Sequence, residues 1–375
     1  MKKVYNFNRQ TDRQTDRQTD RQTDRQTDRQ TDRNILVDFI KSFSIILVVW
    51  GHTIQYSNGL NYDFWNDNIF KVIYSFHMPL FAIISGYLFS NTIRRHSSYS
   101  IVMDKIKKLI IPCMFWALIS TMYLMINDIA NKDAFYVIQY IKNFIRGSIC
   151  NFWFFKAIFI SCILVLLVNK LFNNNICMYI VLIMCTLVFP PIFNLEYSMY
   201  VFPYFIIGFL YKKNGYYNVK NLKYFISIIV YILLMIFWKD NYYIYKSGIN
   251  IIMAENLLMQ LYVDIYRFLT GLIGICVVCG TLERILALVK MKKSFINLLS
   301  YIGKHTGEIY ILSSVIFVSS KNMLAKLISL NILNINYLIW DTVVLFPICM
   351  IIIFVCIFLK KILMKNKNIN RLILG

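Results

Sequence analysis

Long apolar runs separated by short polar segments dominate the chain from residue 35 onward. Several runs reach the length of about 20 residues that a helix needs to cross the hydrocarbon core of a bilayer. The pattern therefore predicts an all-α, polytopic integral membrane protein with about ten transmembrane helices. We place these helices at residues 35–54, 69–90, 109–127, 153–170, 176–193, 198–211, 223–238, 262–282, 308–320 and 338–359.

The first 33 residues follow a different pattern. From Arg9 to Asp32 the tetrapeptide Arg-Gln-Thr-Asp repeats six times, so the charges nearly cancel and no apolar face forms. This composition predicts a disordered, low-complexity arm. We divide the chain into this cytoplasmic arm (1–33), a membrane domain (34–364) and a basic cytoplasmic tail (365–375).

The repeat also has a meaning at the DNA level. In the standard code, the tetranucleotide gaca written three times encodes Asp-Arg-Gln-Thr, the repeating unit. Gain or loss of one tetranucleotide shifts the reading frame and switches the protein off. We therefore hypothesise a phase-variable bacterial gene, a form of control that suits a product that alters the cell surface.

Composition and charge agree with a membrane location. With 58% hydrophobic and 16% charged residues, the chain is unlike a soluble domain. A net charge of +21 would suggest a nucleic-acid partner for a soluble protein, but here the basic residues cluster between apolar runs, as the positive-inside rule describes. We expect no nucleic-acid partner, a bacterial inner-membrane location, and both termini in the cytoplasm.

Polar residues interrupt the first apolar segment. Lys41 and His52 are eleven residues apart, which on a helix is three turns plus about 20°, so they share one face and lie about 16 Å apart along the axis. Asp38 precedes Lys41 by one turn and is spaced to pair with it. A snorkelling lysine and an interfacial histidine are the structural alternative.

The second apolar segment contains another histidine. His77 lies just before Pro79, whose ring frees backbone groups in a helix. The chain has four histidines, and two of them fall in its first two membrane segments. Because ionisable groups inside a membrane are costly, this pair indicates a functional site.

Other polar positions have structural alternatives. Asp264 and Arg267 are one turn apart and are spaced to pair, either as a structural ion pair or with Arg267 lining a cavity. Glu308 and Asp341 lie near predicted span ends, where interfacial solvation suffices. The pair of cysteines at 276 and 279 has no nearby histidine or acidic ligand, so we expect buried packing and no metal.

Several motifs occur in an order that resembles one known family. They are Val37–Lys41 with Val48–His52, Phe76–Phe81 with Ser85–Leu88, Ile111–Pro112 with Trp116, Phe152–Phe154, Pro203–Phe205 with Gly208, and Ile302–Lys304 with Ile309–Leu312. Over about residues 34–360 the chain resembles the acyltransferase-3 membrane acyltransferases, in the branch similar to fucose 4-O-acetylases. It departs at Lys41, often Arg in the family, and at Ser313, often His.

The resemblance implies transfer of an acetyl group from acetyl-CoA to a hydroxyl of a cell-surface polysaccharide, such as capsule, O-antigen or another lipopolysaccharide glycan, free or lipid-linked. A histidine suits removal of the hydroxyl proton, so we expect His52 to be the general base and His77 to orient or share the proton. Lys41 would hold the CoA phosphates. The further candidates are Asp38 and Arg267 as donor-binding or structural residues, and Trp153 and Ser85 at the substrate site.

Two alternatives stay open at this point. A proton-coupled transporter would use the intramembrane histidines as relays, although the chain shows no internal repeat of two halves. An enzyme of the same family with another acyl group or a small-molecule acceptor is the second alternative.

Overall fold

The computed structural model describes residues 35–57, 63–130, 137–188, 195–214, 221–288, 292–329, 337–366 and 372–375. Every regular element in these ranges is helical, which confirms the predicted all-α class. The predicted disordered arm, residues 1–33, lies outside the described residues.

The helices are α1 (Ile35–Ser57), α2 (Asn68–Arg95), α3 (Ser98–Ala130), α4 (Val137–Cys150), α5 (Trp153–Phe172), α6 (Ile176–Val188), α7 (Leu195–Asn214), α8 (Asn221–Ile236), α9 (Leu257–Leu288), α10 (Lys293–Lys304), α11 (Thr306–Ser329) and α12 (Tyr337–Leu363). Short helical turns at Phe64–Asn66, Asp240–Tyr242 and Ile244–Ser247 lie between them. Eight of the ten predicted membrane segments lie within these helices. The segment 223–238 runs two residues past the end of α8, and the segment 176–193 continues beyond α6 into residues outside the described ranges.

Six of the described helices are long and apolar enough to cross a membrane, namely α1, α2, α3, α5, α9 and α12. The outward side chains of the peripheral helices are apolar as well: Leu118, Met122 and Ile126 on α3 are exposed, as are Phe225 and Ile229 on α8. Such a surface is stable only against lipid, because water would leave these side chains unburied. The protein is a multi-pass membrane protein.

Helix α1 lies at the centre of the bundle, in contact with α2, α10, α11 and α12. Val49 and Ile54 are fully buried there. Gly303 of α10 sits directly against the Asp38 carbonyl of α1, and a Cβ at this position would lie 2.8 Å from Ser42 Oγ. The missing side chain therefore allows α10 to pack closely on the end of α1 that carries Lys41.

Helix α2 makes its most extensive packing against α7. At their crossing, a Cβ on Gly86 would collide with the Phe205 carbonyl, and a Cβ on Gly208 would collide with the Ile83 carbonyl. The two glycines thus let two backbones approach more closely than larger residues would permit. This crossing fixes where Ser85 and the helical turn that carries His77 lie along the axis of the bundle.

Candidate active site

A cavity of about 420 Å³ opens between α1, α2, α3, α5 and α11. Its apolar walls include Phe81, Phe154 and Ile158, and Ser85 also lines it. Four lysines line the same space: Lys41, Lys105, Lys108 and Lys304. We call this space the lysine cavity. Its combination of ammonium groups and apolar walls suits a ligand with an anionic part and an apolar part.

The α1 wall of the lysine cavity consists of Lys41, Ile45 and Val48. This spacing of four and three residues continues to His52, one turn beyond Val48. The face of α1 that borders the cavity therefore carries Lys41, and His52 lies on the same face one turn beyond the cavity lining, with its ring against Tyr56 and Phe317. Asp38 lies outside the cavity lining; it is buried at the start of α1 beside Gly303.

The carboxylate of Glu308 also lines the lysine cavity. It accepts a hydrogen bond from His305 Nδ1 at 3.0 Å and pairs with Lys360 Nζ at 3.1 Å. Lys360 is only 4% exposed. The expectation that interfacial solvation alone accommodates Glu308 was wrong, since an ion pair from a different helix neutralises it.

A second, much smaller space surrounds His77. This void of about 20 Å³ is lined by Tyr74, His77, Met78, Trp153, Tyr200, Tyr242, Tyr243, Ile244, Tyr245 and Arg267, and we call it the histidine pocket. Met78 lines the lysine cavity as well. The structure thus places Lys41 and Ser85 in one space and His77, Trp153 and Arg267 in the other, with Met78 between them.

The hydrogen bond of His77 defines its basic nitrogen. Its Nδ1 lies 2.8 Å from the carbonyl oxygen of Ile73, an atom that only accepts hydrogen bonds, so Nδ1 carries the proton. The neutral ring therefore has its lone pair on Nε2. Because His77 is 3% exposed, this nitrogen is shielded from bulk solvent.

Gln55 and Tyr74 connect the two histidines. His52 Nδ1 lies 3.1 Å from Gln55 Oε1, and the Tyr74 hydroxyl donates to the same oxygen at 3.4 Å. The Tyr74 ring lies 4.6 Å from the His77 ring. When the Nδ1–H of neutral His52 donates its hydrogen bond to the Gln55 amide oxygen, the lone pair of the ring is on Nε2.

Sequence reasoning missed both connecting residues. Gln55 is three residues after His52 and Tyr74 is three residues before His77. At this spacing each shares a helix face with its histidine. That spacing was the available signal, but the contact between the two helices was not visible in it.

Arg267 holds a loop over the histidine pocket. Its Nε donates to the Tyr242 carbonyl at 2.9 Å and its Nη1 to the Gly248 carbonyl at 2.8 Å. The predicted ion pair with Asp264 is confirmed at 3.2 Å. Since Arg267 is 2% exposed, these partners stabilise a buried charge. The loop 240–248 is thereby fastened to α9.

Trp153 and Asp341 complete the polar candidates. Trp153 packs its ring against Tyr197 at 5.2 Å and Tyr245 at 6.4 Å, measured between ring centroids.

Asp341 was expected at a solvated span end. This expectation was wrong, because Asp341 is fully buried. Its carboxyl group lies beside the carboxyl group of Asp67.

In the described part of the chain, no group of three or more His, Cys, Asp or Glu side chains is arranged to hold a metal ion. The cysteines described there are unpaired. The expected buried packing of Cys276 and Cys279 was wrong, since Cys276 is exposed and Cys279 is only partly buried.

Comparison with known proteins gives the chain a family. A model described as an acyltransferase domain, of the acyltransferase 3 type, matches residues 34–361. Two nodulation proteins NolL are similar. The one from Sinorhizobium fredii is 38% identical over 192 residues, 48% of this chain and 49% of the relative. The one from Mesorhizobium japonicum is 33% identical over 180 residues, 47% of each chain.

The chain thus spans about half the length of the curated relatives it matches. No solved structure matches it. The family match, in contrast, covers the whole helical bundle, including both histidines and the lysine cavity, and it favours an enzyme over the transporter alternative. The chain belongs to the acyltransferase 3 family of membrane acyltransferases.

Proposed function

We propose that the protein is a membrane O-acetyltransferase that moves an acetyl group from acetyl-CoA to a hydroxyl of a cell-surface polysaccharide. The observation that carries the proposal is the connection of His52 and His77 through Gln55 and Tyr74, directly beyond a cavity lined by lysines. The site therefore offers a proton acceptor next to a space for an anionic donor.

The lysine cavity suits the donor. The phosphates of CoA are attracted to Lys41, Lys105, Lys108 and Lys304, which line one cavity, because ammonium groups bind phosphate oxygens through charge-assisted hydrogen bonds. The pantetheine arm then follows the apolar walls toward Met78. On this proposal the lysine end of the bundle faces the cytoplasm, where acetyl-CoA is made, in the inner membrane of a bacterium.

The size of the histidine pocket supports a short acyl group. A volume of about 20 Å³ is enough for about one water-sized group. Met78 or the tyrosines must therefore move for any acyl group to enter, and the two-carbon acetyl group requires a smaller displacement than a longer chain. A long acyl chain would require the aromatic lining to separate, which favours acetyl over longer donors.

The transfer itself requires one proton acceptor and one electrophile. As the sugar hydroxyl oxygen attacks the thioester carbonyl, its proton moves to Nε2 of His52, the C–S bond breaks, and CoA leaves as the thiolate that recovers the proton. His77, which lines the void, would orient the acceptor hydroxyl or share its proton. General-base catalysis of this kind contributes about 10²–10⁴-fold to the rate.

The repeat adds a switch to this proposal. If the gene encodes residues 9–32 with a pure tandem tetranucleotide, cells that gain or lose one unit lose the enzyme and expose an unacetylated glycan. Sequencing the gene tests this directly, since mixed synonymous codons across the repeat would rule out frame switching.

The test of the function measures the O-acetyl content of the surface polysaccharide by NMR in three strains: gene intact, repeat frame-shifted, and His52→Ala. We expect one acetyl signal to disappear in both altered strains while the His52→Ala protein is still present in the membrane. Unchanged glycans in the frame-shifted strain would remove the polysaccharide from the proposal and leave a small-molecule acceptor to be sought.

A further inference from the structure

A third cavity, of about 530 Å³, lies on the opposite side of the Arg267 loop from the histidine pocket. It is bounded by the first turn of α7, the loop 241–256 and the start of α9, and we call it the loop pocket. Most of its lining is polar: Glu196, Asn241, Lys246, Ser247, Asn250, Glu255, Asn256 and Gln260.

The chemistry of the loop pocket suits a sugar. Its amide and hydroxyl groups can donate and accept hydrogen bonds and its carboxylates can accept them, as the hydroxyls of a sugar ring require. Met253, Met259 and Val263 add an apolar patch to the same lining, against which the C–H face of a ring can pack. A few placed polar groups on a partly apolar wall are typical of small-ligand sites.

The charge of the pocket selects among sugars. Lys246 is paired with Asp240 at 2.6 Å, so the carboxylates of Glu196 and Glu255 determine the sign of the field. These two carboxylates repel uronic and other acidic sugars at the pocket. It accepts an uncharged residue.

The loop pocket and the histidine pocket share a wall. Arg267 lines the histidine pocket, and its guanidinium bonds to the Gly248 carbonyl and the Ser247 hydroxyl, two residues that line the loop pocket. One layer of protein therefore separates the two spaces. The two pockets are therefore neighbours in the structure.

The wall is held in place before any ligand binds. Gln260 donates to the Gly248 carbonyl at 3.3 Å, and the Tyr243 hydroxyl donates to the Trp65 carbonyl at 2.9 Å. Such anchoring lowers the ordering cost of binding.

We propose that the loop pocket is an acceptor subsite, which binds an uncharged sugar residue next to the residue that receives the acetyl group. This inference rests on the proposed function.

The test compares Glu196→Lys and Glu255→Lys with wild-type enzyme in lipid nanodiscs. The acceptor is the surface polysaccharide extracted from the frame-shifted strain, and the donor is radiolabelled acetyl-CoA. We expect each variant to raise the KM for polysaccharide at least tenfold, because a lysine replaces a hydrogen-bond acceptor at the sugar. The KM for acetyl-CoA should stay within twofold. Glu283→Lys, the same change at an exposed position outside all three cavities, is the matched control and should behave as wild type.

An unchanged KM for polysaccharide in both pocket variants overturns the subsite and leaves the proposed function intact. A parallel rise in the KM for acetyl-CoA also overturns it, since the variants would then have damaged the whole bundle. If wild-type enzyme itself transfers no acetyl group to the polysaccharide, the proposed function fails and the subsite fails with it.

Discussion

His52 and His77 each have a fixed Nδ1 partner, Gln55 and the Ile73 carbonyl respectively. Such second contacts set the tautomer and orientation of a catalytic imidazole. Because a backbone carbonyl cannot be mutated away, Gln55 is the position at which this arrangement can be tested without removing a histidine.

We predict that Gln55→Leu lowers kcat about tenfold or more, since His52 loses its acceptor and the link to Tyr74. The KM for acetyl-CoA should stay unchanged, because the lysine cavity is untouched. Gln55→Glu retains an acceptor oxygen and should recover most of the rate. Steady-state kinetics on purified enzyme measures both, and equal losses in the Leu and Glu variants would contradict a positioning role.

The lysines allow a separate test of donor binding. We predict that Lys41→Ala raises the KM for acetyl-CoA about tenfold, equivalent to ~1.4 kcal/mol, because one phosphate contact is lost. With S-acetylpantetheine, which lacks the nucleotide, the same variant should match wild type. Lys170→Ala, an exposed lysine outside the cavity lining, serves as the control. An equal effect on both donors would place Lys41 elsewhere in the mechanism.

At the scale of helices, the crossing of α2 and α7 depends on two glycines. We predict that Gly86→Ala or Gly208→Ala lowers the free energy of unfolding by about 1–3 kcal/mol, as overpacking does, because the new methyl group meets a backbone carbonyl of the other helix. Thermal unfolding in detergent measures the loss.

Gly307→Ala is the matched control for the crossing. Its added Cβ would lie 3.7 Å from Phe155 Cζ, an ordinary contact, so we expect little change in unfolding temperature. Equal destabilisation by all the glycine variants would contradict the close crossing as the cause, since helix propensity by itself favours alanine over glycine.

Arg267 fastens the loop 240–248 to helix α9. A second substitution should reverse part of the stability that is lost when Arg267 is removed. We predict that Arg267→Met costs about 3–5 kcal/mol, since Asp264 is left as a buried, unpaired charge. The double variant Arg267→Met with Asp264→Leu should recover part of the stability, although the loop carbonyls stay unpaired. Trypsin cleavage after Lys246 reports release of the loop in both. No recovery in the double variant would show that the loop bonds carry the whole effect.

For the whole molecule, the two ends of the bundle differ in chemistry. The lysine cavity lies at the end where α1 begins, and the tyrosine-rich histidine pocket and the loop pocket lie toward the end where α1 stops. A donor and an acceptor that approach from opposite sides of the membrane would meet near Met78.

This arrangement predicts the orientation. Green fluorescent protein fused after Gly375 should fluoresce, because it folds in the cytoplasm and not after export. Alkaline phosphatase inserted after Ala254 should be active, because it requires the oxidising periplasm. The opposite pair of results would invert the bundle and place the lysine cavity outside, away from acetyl-CoA.

The positions of the long apolar helices were predictable because apolar run length is a local property of the chain, whereas α4 and α10 fall outside the predicted membrane segments. The face of α1 with Lys41 and His52 was predictable for the same reason, since helical geometry fixes which residues lie above one another. The Asp264–Arg267 ion pair also follows from spacing within one helix. For these features the sequence alone was sufficient.

The contacts between distant segments were decided by the tertiary structure. Tyr74 contacts Gln55 only because α2 packs on α1. Asp341 is fully buried because neighbouring helices cover it. The loop pocket brings Glu196 together with Asn256, sixty residues apart. Local periodicity carries no information on which faces meet, because that depends on how side chains and glycines fit together across helices. The sequence determined the helices and the candidate histidines, and packing decided which groups share a cavity.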